Sequence, residues 1–362
     1  MEQKLTDKIL DAKKIIESSN IGFFTGKMGL CLALYLLNKK YCIPQAENAA
    51  DNLMSQICEQ AKKIWNINFD SGLPGIGYGI NMLSKYNCIE GDIDDILHDI
   101  DAILYRELTT YKFQVNNTYT TGLIGMGLYL VSRLNNPAHQ SASVQHRLIE
   151  AALRIVIDKL YDTAPSVLGN ISKDLYICAL WDSPLIFCFM AKAFDVGVYQ
   201  EKIKAMVRSW CLYIQGSLPY YNINKLALVF SLTYLNKRVC NQNISRHIDL
   251  LLTATDFDEI PNEVEYHVTN INEGWMYVLL LLEKAKGCMP KSHPKYSSIE
   301  KCRKRIVEEC QAMNIHILKE ENINVTFIGG LSNKSMCLDI FWLHTLLFRY
   351  VREKTRASLL ML

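Results

Sequence analysis

Residues 69–83 read FDSGLPGIGYGINML, and the fold turns on how they are understood. Gly72, Gly75, Gly77 and Gly79 crowd this stretch, which then runs on apolar without a break. Glycine inside a helix costs roughly 1 kcal/mol relative to alanine, so the cluster marks a place that needs the missing Cβ. A phosphate-cradling loop and a helix start packed against other backbones both fit. The dinucleotide fingerprint requires a strand before the glycines and an acidic residue about 20 positions beyond. No strand precedes them, and the pattern recurs in residues 21–40 (IGFFTGKMGLCLALYLLNKK) and 118–134 (TYTTGLIGMGLYLVSRL). Recurrence selects helix starts, with Asp70 or Ser71 and Thr120 or Thr121 as side-chain N-caps.

Working outward, apolar helices begin near residues 26, 72, 122, 180, 224, 273 and 331. Amphipathic helices alternate with them at 6–18, 44–64, 92–111, 140–161, 198–214, 241–254 and 296–318. A helix that is apolar all round must be buried all round, whereas both helices of an open solenoid keep a solvated face. The pattern predicts an all-α fold, an α/α toroid of seven inner-outer helix hairpins, in one domain over residues 1–362. The glycines would let the first turns of the inner helices approach one another, leaving backbone N–H groups at a central mouth.

Composition narrows the function. The net charge of +2 and the absence of like-charge runs point away from nucleic acid and membrane surfaces. Twelve cysteines form no C-x-x-C pair, and the Met-Glu-Gln-Lys start carries no apolar signal segment. Both indicate a reducing cytoplasm, where the sequons at Asn116, Asn170, Asn243 and Asn324 are coincidental. The apolar run at 275–282 is too short to cross a bilayer.

TGKMGLCLAL (25–34), SGLPGIGYGI (71–80) and TGLIGMGLYL (121–130), with weaker matches NEGWMYVLLL (272–281) and GGLSNKSMCL (329–338), resemble the repeated signature of the lanthionine synthetase C family. The resemblance spans the chain and is greatest to short members in Bacteroidetes peptide-modification clusters. It implies the α/α toroid, a cytoplasmic protein, and a ribosomally made peptide or its modifying enzyme as partner. Catalytic members add cysteine thiols to dehydrated residues using one zinc at the mouth. Its ligands come from a W-C-Y-G-x-P-G motif in the fourth repeat and a C-H-G motif in the fifth. Here the fourth repeat reads Trp181-Asp182-Ser183-Pro184, and the fifth reads Asn222-Ile223-Asn224-Lys225-Leu226. Neither supplies cysteine or histidine at those positions, so no cofactor is expected, zinc included, and the chain reads as a binding protein without catalytic residues.

The candidate peptide-binding residues at the mouth are Trp181, Asp182, Tyr220, Tyr221, Asn222, Asn272, Glu273 and Asn333. Each could equally be a helix cap or packing residue. Two enzyme readings stand beside this one. One keeps zinc-dependent thioether formation with non-standard ligands such as Cys178, Cys188 or His344. The other uses Asp182 and Glu273 as an acid/base pair across about 5–10 Å. Residues 94–99 (DDILHD) resemble an aspartate-rich magnesium motif, but read more simply as the solvated, acidic start of an outer helix.

Overall fold

The computed structural model describes residues 20–23, 26–110, 116–118, 121–139, 143–174, 177, 181–264, 275–289 and 291–312. Among the described residues there are twelve α-helices, two short 3-10 helices and no strand. The apolar series is α1 (Lys27–Tyr41), α3 (Leu73–Lys85), α5 (Leu123–Leu134), α7 (Asp182–Asp195), α9 (Asn222–Val239) and α11 (Trp275–Cys288). The amphipathic series is α2 (Pro44–Ala61), α4 (Ile93–Thr109), α6 (Val144–Leu168), α8 (Gln200–Gln215), α10 (Gln242–Ala254) and α12 (Tyr296–Ala312). Six of the seven expected hairpins are therefore present. The helix expected at 6–18 and the last apolar helix at 327–350 lie outside the described residues.

Burial follows the two sequence types. In α3, every residue from Leu73 to the tenth position beyond it is buried, glycines included. In α2 only Ala46, Ala49, Ala50, Leu53 and Ile57 are buried, a stripe of helical spacing with a wet face behind it. Burying such a stripe contributes about 25 cal/mol per Å² of apolar surface. Most of the helices' stability comes from this packing rather than from intrinsic propensity.

By internal contacts the chain separates into two compact units. The first contains the described residues up to Thr163 together with Lys192–Tyr199; the second contains Ala164–Ala191 and the described chain from Gln200 onward. In the first, α1 packs on α2 and α3, and α3 packs on α4 and α5. In the second, α9 packs on α10 and α11, α8 on α10, and α11 on α12. The division cuts α6 just before the internal Pro165, which cannot donate the usual helical hydrogen bond, and cuts α7 before Lys192.

Candidate functional site

The inner-helix starts are the candidate site, and in the first unit they share one construction. Asn20, Asn66 and Asn116 each stand six residues before an N-cap glycine (Gly26, Gly72, Gly122). Each asparagine's carbonyl accepts the first helical N–H: Lys27 to Asn20 at 2.9 Å, Leu73 to Asn66 at 2.8 Å, Leu123 to Asn116 at 2.9 Å. Each Oδ1 also accepts a backbone N–H two residues on, from Gly22 (2.8 Å), Asn68 (2.9 Å) and Thr118 (3.2 Å). The glycines share one extended conformation, with φ/ψ of −118°/−173°, −116°/−168° and −127°/−160°.

This corrects two sequence expectations. The N-caps are the glycines, with no side-chain cap bond, rather than Asp70, Ser71, Thr120 or Thr121. The first helical N–H is closed by its own loop instead of facing an open mouth. A Cβ on Gly72 would collide with the Asn66 carbonyl, so the glycine is required by the loop folded over it. Deeper glycines do serve inter-helix approach, since a Cβ on Gly77 would lie 2.7 Å from the Tyr129 ring of α5. The missed signal is legible afterwards as N-x-x-(F/Y)-x-(S/T)-G: NIGFFTG at 20–26, NINFDSG at 66–72, NNTYTTG at 116–122. Phe23 and Phe69 pack edge-on against each other and against Tyr78 at centroid distances of 5.3–5.7 Å, tying two of these loops to α3.

The second unit starts its inner helices differently. Before α7, buried Trp181 donates its indole Nε1–H to Asp174 Oδ2 at 2.7 Å. Asp182 opens α7, half-buried, where negative charge complements the helix N-terminus. Before α9, Glu263 supplies the cap from the end of the 3-10 helix Ile260–Glu263. Its Oε1 accepts from the Asn222 backbone N–H and side-chain Nδ2, both at 2.7 Å, and its Oε2 from the Ile223 N–H at 3.0 Å. Asn222 Oδ1 in turn accepts from Lys225 Nζ at 3.0 Å and the Asp256 N–H at 2.9 Å. Burial pushes the Glu263 carboxyl up from its ordinary value, against the lowering effect of those donors and of Lys225.

Of the predicted mouth residues, Asn222 is thus engaged within the chain on both sides of its amide, and Trp181 is held by Asp174. Tyr220 is 71% exposed and packs edge-on against Tyr221 at 5.2 Å. Asn272, Glu273 and Asn333 lie outside the described residues, and with Glu273 so does the proposed carboxylate pair. The run at 94–99 divides: Asp95, His98 and Asp99 are exposed as expected, while Asp94 turns inward and pairs with Arg133.

Zinc would need three or four cysteine, histidine or carboxylate donors around one point. Among the described residues no three such side chains converge. The fourth- and fifth-repeat positions offer one carboxylate and a committed asparagine amide. Cys188 is buried on α7, while Cys178 and His344 lie outside the described residues. The donors among the described residues do not fit the ion.

No family model matches the sequence, and no curated protein matches it. Seven chains of solved structures match by fold. Among them is nisin cyclase, with a TM-score of 0.60 over 96% of this chain and 98% of that one, at 11% identity. The fold class is that of the lanthionine synthetase C-like α/α toroids. At this identity the likeness shows the fold alone. Among the described residues no helix is long and apolar enough to cross a membrane.

Proposed function

We propose that this chain is a lanthionine synthetase C-like component in the maturation of a ribosomally synthesised, post-translationally modified peptide. It binds the peptide, or the enzyme modifying it, at the inner-helix entries, and does not itself close thioether rings. The fold likeness to nisin cyclase across 96% of the chain carries this reading. One site feature supports it: the entry to α9 presents exposed Tyr220 beside half-buried Tyr221. Paired aromatic rings of this kind suit a peptide side chain.

The test combines three measurements on the full chain purified without chelator. A dehydrated, cysteine-containing precursor peptide is titrated calorimetrically, its free thiols are followed by mass spectrometry, and bound metal is quantified. Binding without loss of thiols is expected. Stoichiometric zinc together with thiol consumption would instead establish a cyclase with ligands of another kind. No binding to peptides of this class would remove the proposal.

A further inference from the structure

A cleft of about 370 Å³ opens in the second unit between the end of α10 and the start of α12. Residues 253–258 form one wall, and Lys295, Ser298 and Lys301 form the other. The cleft adjoins the α9 entry. Asn222 Oδ1 accepts the Asp256 N–H at 2.9 Å, and Lys225 Nζ bridges Asn222 Oδ1 (3.0 Å) and the Ala254 carbonyl (3.2 Å). The loop walling the cleft is therefore bonded to the residue that directly follows Tyr220 and Tyr221.

The charged groups here are unevenly engaged. Asp258 is taken: its Oδ1 lies 3.1 Å from Lys301 Nζ, and its carbonyl accepts from Arg305 Nη1 at 2.9 Å. Asp256 turns its Oδ1 back onto the Asp258 N–H at 3.0 Å. Lys295 is different. Its half-buried ammonium reaches the Thr253 and Thr255 carbonyls only at 3.4 Å each, and stands 5.6 Å from the centroid of the buried Phe257 ring. Those contacts are long for an N–H···O bond, and an ammonium has three hydrogens to give. Beside it the half-buried Ser298 hydroxyl has no hydrogen-bond partner among the described residues. Four cations (Lys225, Lys295, Lys301, Arg305) hold residues 253–258, against the two carboxylates that this segment carries. The cleft thus offers a loosely held ammonium and an open hydroxyl in a locally cationic setting. A carboxylate would complete both, with a short charge-assisted bond from Lys295.

We propose that this cleft is a carboxylate-binding site, with Lys295 and Ser298 as its donors. The peptide supplies the carboxylate, from an acidic side chain or from its C-terminus, while the Tyr220–Tyr221 pair takes an apolar residue nearby. That source rests on the peptide-binding reading, whereas the carboxylate chemistry of the cleft does not.

The test has two arms, both on the full chain. In the first, backbone amide NMR follows titration with acetate against chloride at constant ionic strength. Saturable shifts specific to acetate are expected at Phe257, Asp258 and Ser298. Lys295→Gln should weaken acetate binding about tenfold and Ser298→Ala about threefold, and Lys295→Arg should restore most of it. The absence of such shifts, or undiminished shifts in a folded Lys295→Gln, would overturn the proposal. Ser298→Ala keeps the test open should Lys295→Gln not fold.

In the second arm, a dehydrated, cysteine-containing peptide competes with acetate in three forms: with one glutamate and an amidated C-terminus, with glutamine in its place, and with glutamine and a free C-terminus. Displacement by the first form alone assigns the cleft to a side-chain carboxylate, and by the third alone to the terminal one. Peptide that binds without displacing acetate would overturn the assignment of the cleft to the peptide and leave the peptide-binding reading standing. Peptide that does not bind at all would overturn that reading instead, with the carboxylate site then decided by the first arm.

Discussion

The Glu263 carboxylate caps α9 at Asn222, 41 residues earlier in the chain, with Oε1 at 2.7 Å from that residue's backbone nitrogen. Removing it leaves the Asn222 and Ile223 N–H groups without their acceptor. Glu263→Ala should cost about 1–3 kcal/mol, the usual penalty for part-buried donors left unmade. Glu263→Gln keeps one acceptor and should cost less. Urea unfolding of the three proteins reads both differences.

The same residue has a pH signature. Its carboxyl is raised by burial, so the folded state holds the proton more tightly than the unfolded chain does. Its contribution is therefore fully present below the unfolded value and is lost as pH rises through the folded one. The stability of the wild type relative to Glu263→Gln should fall on going from acid toward neutral pH. A difference independent of pH would contradict the burial argument.

At the entry loops, Gly72→Ala sets a methyl group against the Asn66 carbonyl. Overpacking of this kind costs about 1–3 kcal/mol. Asn66→Ala removes only the side-chain acceptor for the Asn68 N–H and the bond to Ser71 Oγ, about 1 kcal/mol. Equivalent changes at Asn20 and Asn116 should have similar effects in thermal unfolding, because the three loops share their geometry.

Arg133→Met should destabilise the first unit by about 3–5 kcal/mol, since it removes the guanidinium that pairs with the buried Asp94 and Asp101 carboxylates. Arg133→Lys should rescue little. A single ammonium cannot reproduce a guanidinium that reaches Asp94 and Asp101 together. Chemical denaturation measures both variants.

Tyr220→Ala separates binding from folding. Tyr220 is 71% exposed, so the free energy of unfolding should change by less than about 0.5 kcal/mol. Affinity for the precursor peptide should fall about tenfold if this ring is an anchor. Unchanged affinity would remove Tyr220 from the site.

The alternation of apolar and amphipathic helices was legible because burial demands it: an all-apolar α3 and a striped α2 can be told apart by period alone. The helix starts were less legible. Asp70 and Ser71 looked like caps by residue type, but the backbone carbonyl of Asn66, which no side-chain rule registers, takes the first helical N–H. Glu263 was invisible as the partner of Asn222 because their contact depends on the tertiary path of the chain. Asp94 sits among acids of identical sequence character, and only the arrival of Arg133 from another helix singles it out.

The entry loops also bear on the order in which the chain can fold. Each asparagine closes its helix start within seven residues, so the first three inner helices carry their own initiation signal and can form while the ribosome is still extending the chain. The fifth has no such signal. Its first turn stays unsealed until Glu263 has been made, so the second unit cannot complete α9 until that later segment arrives.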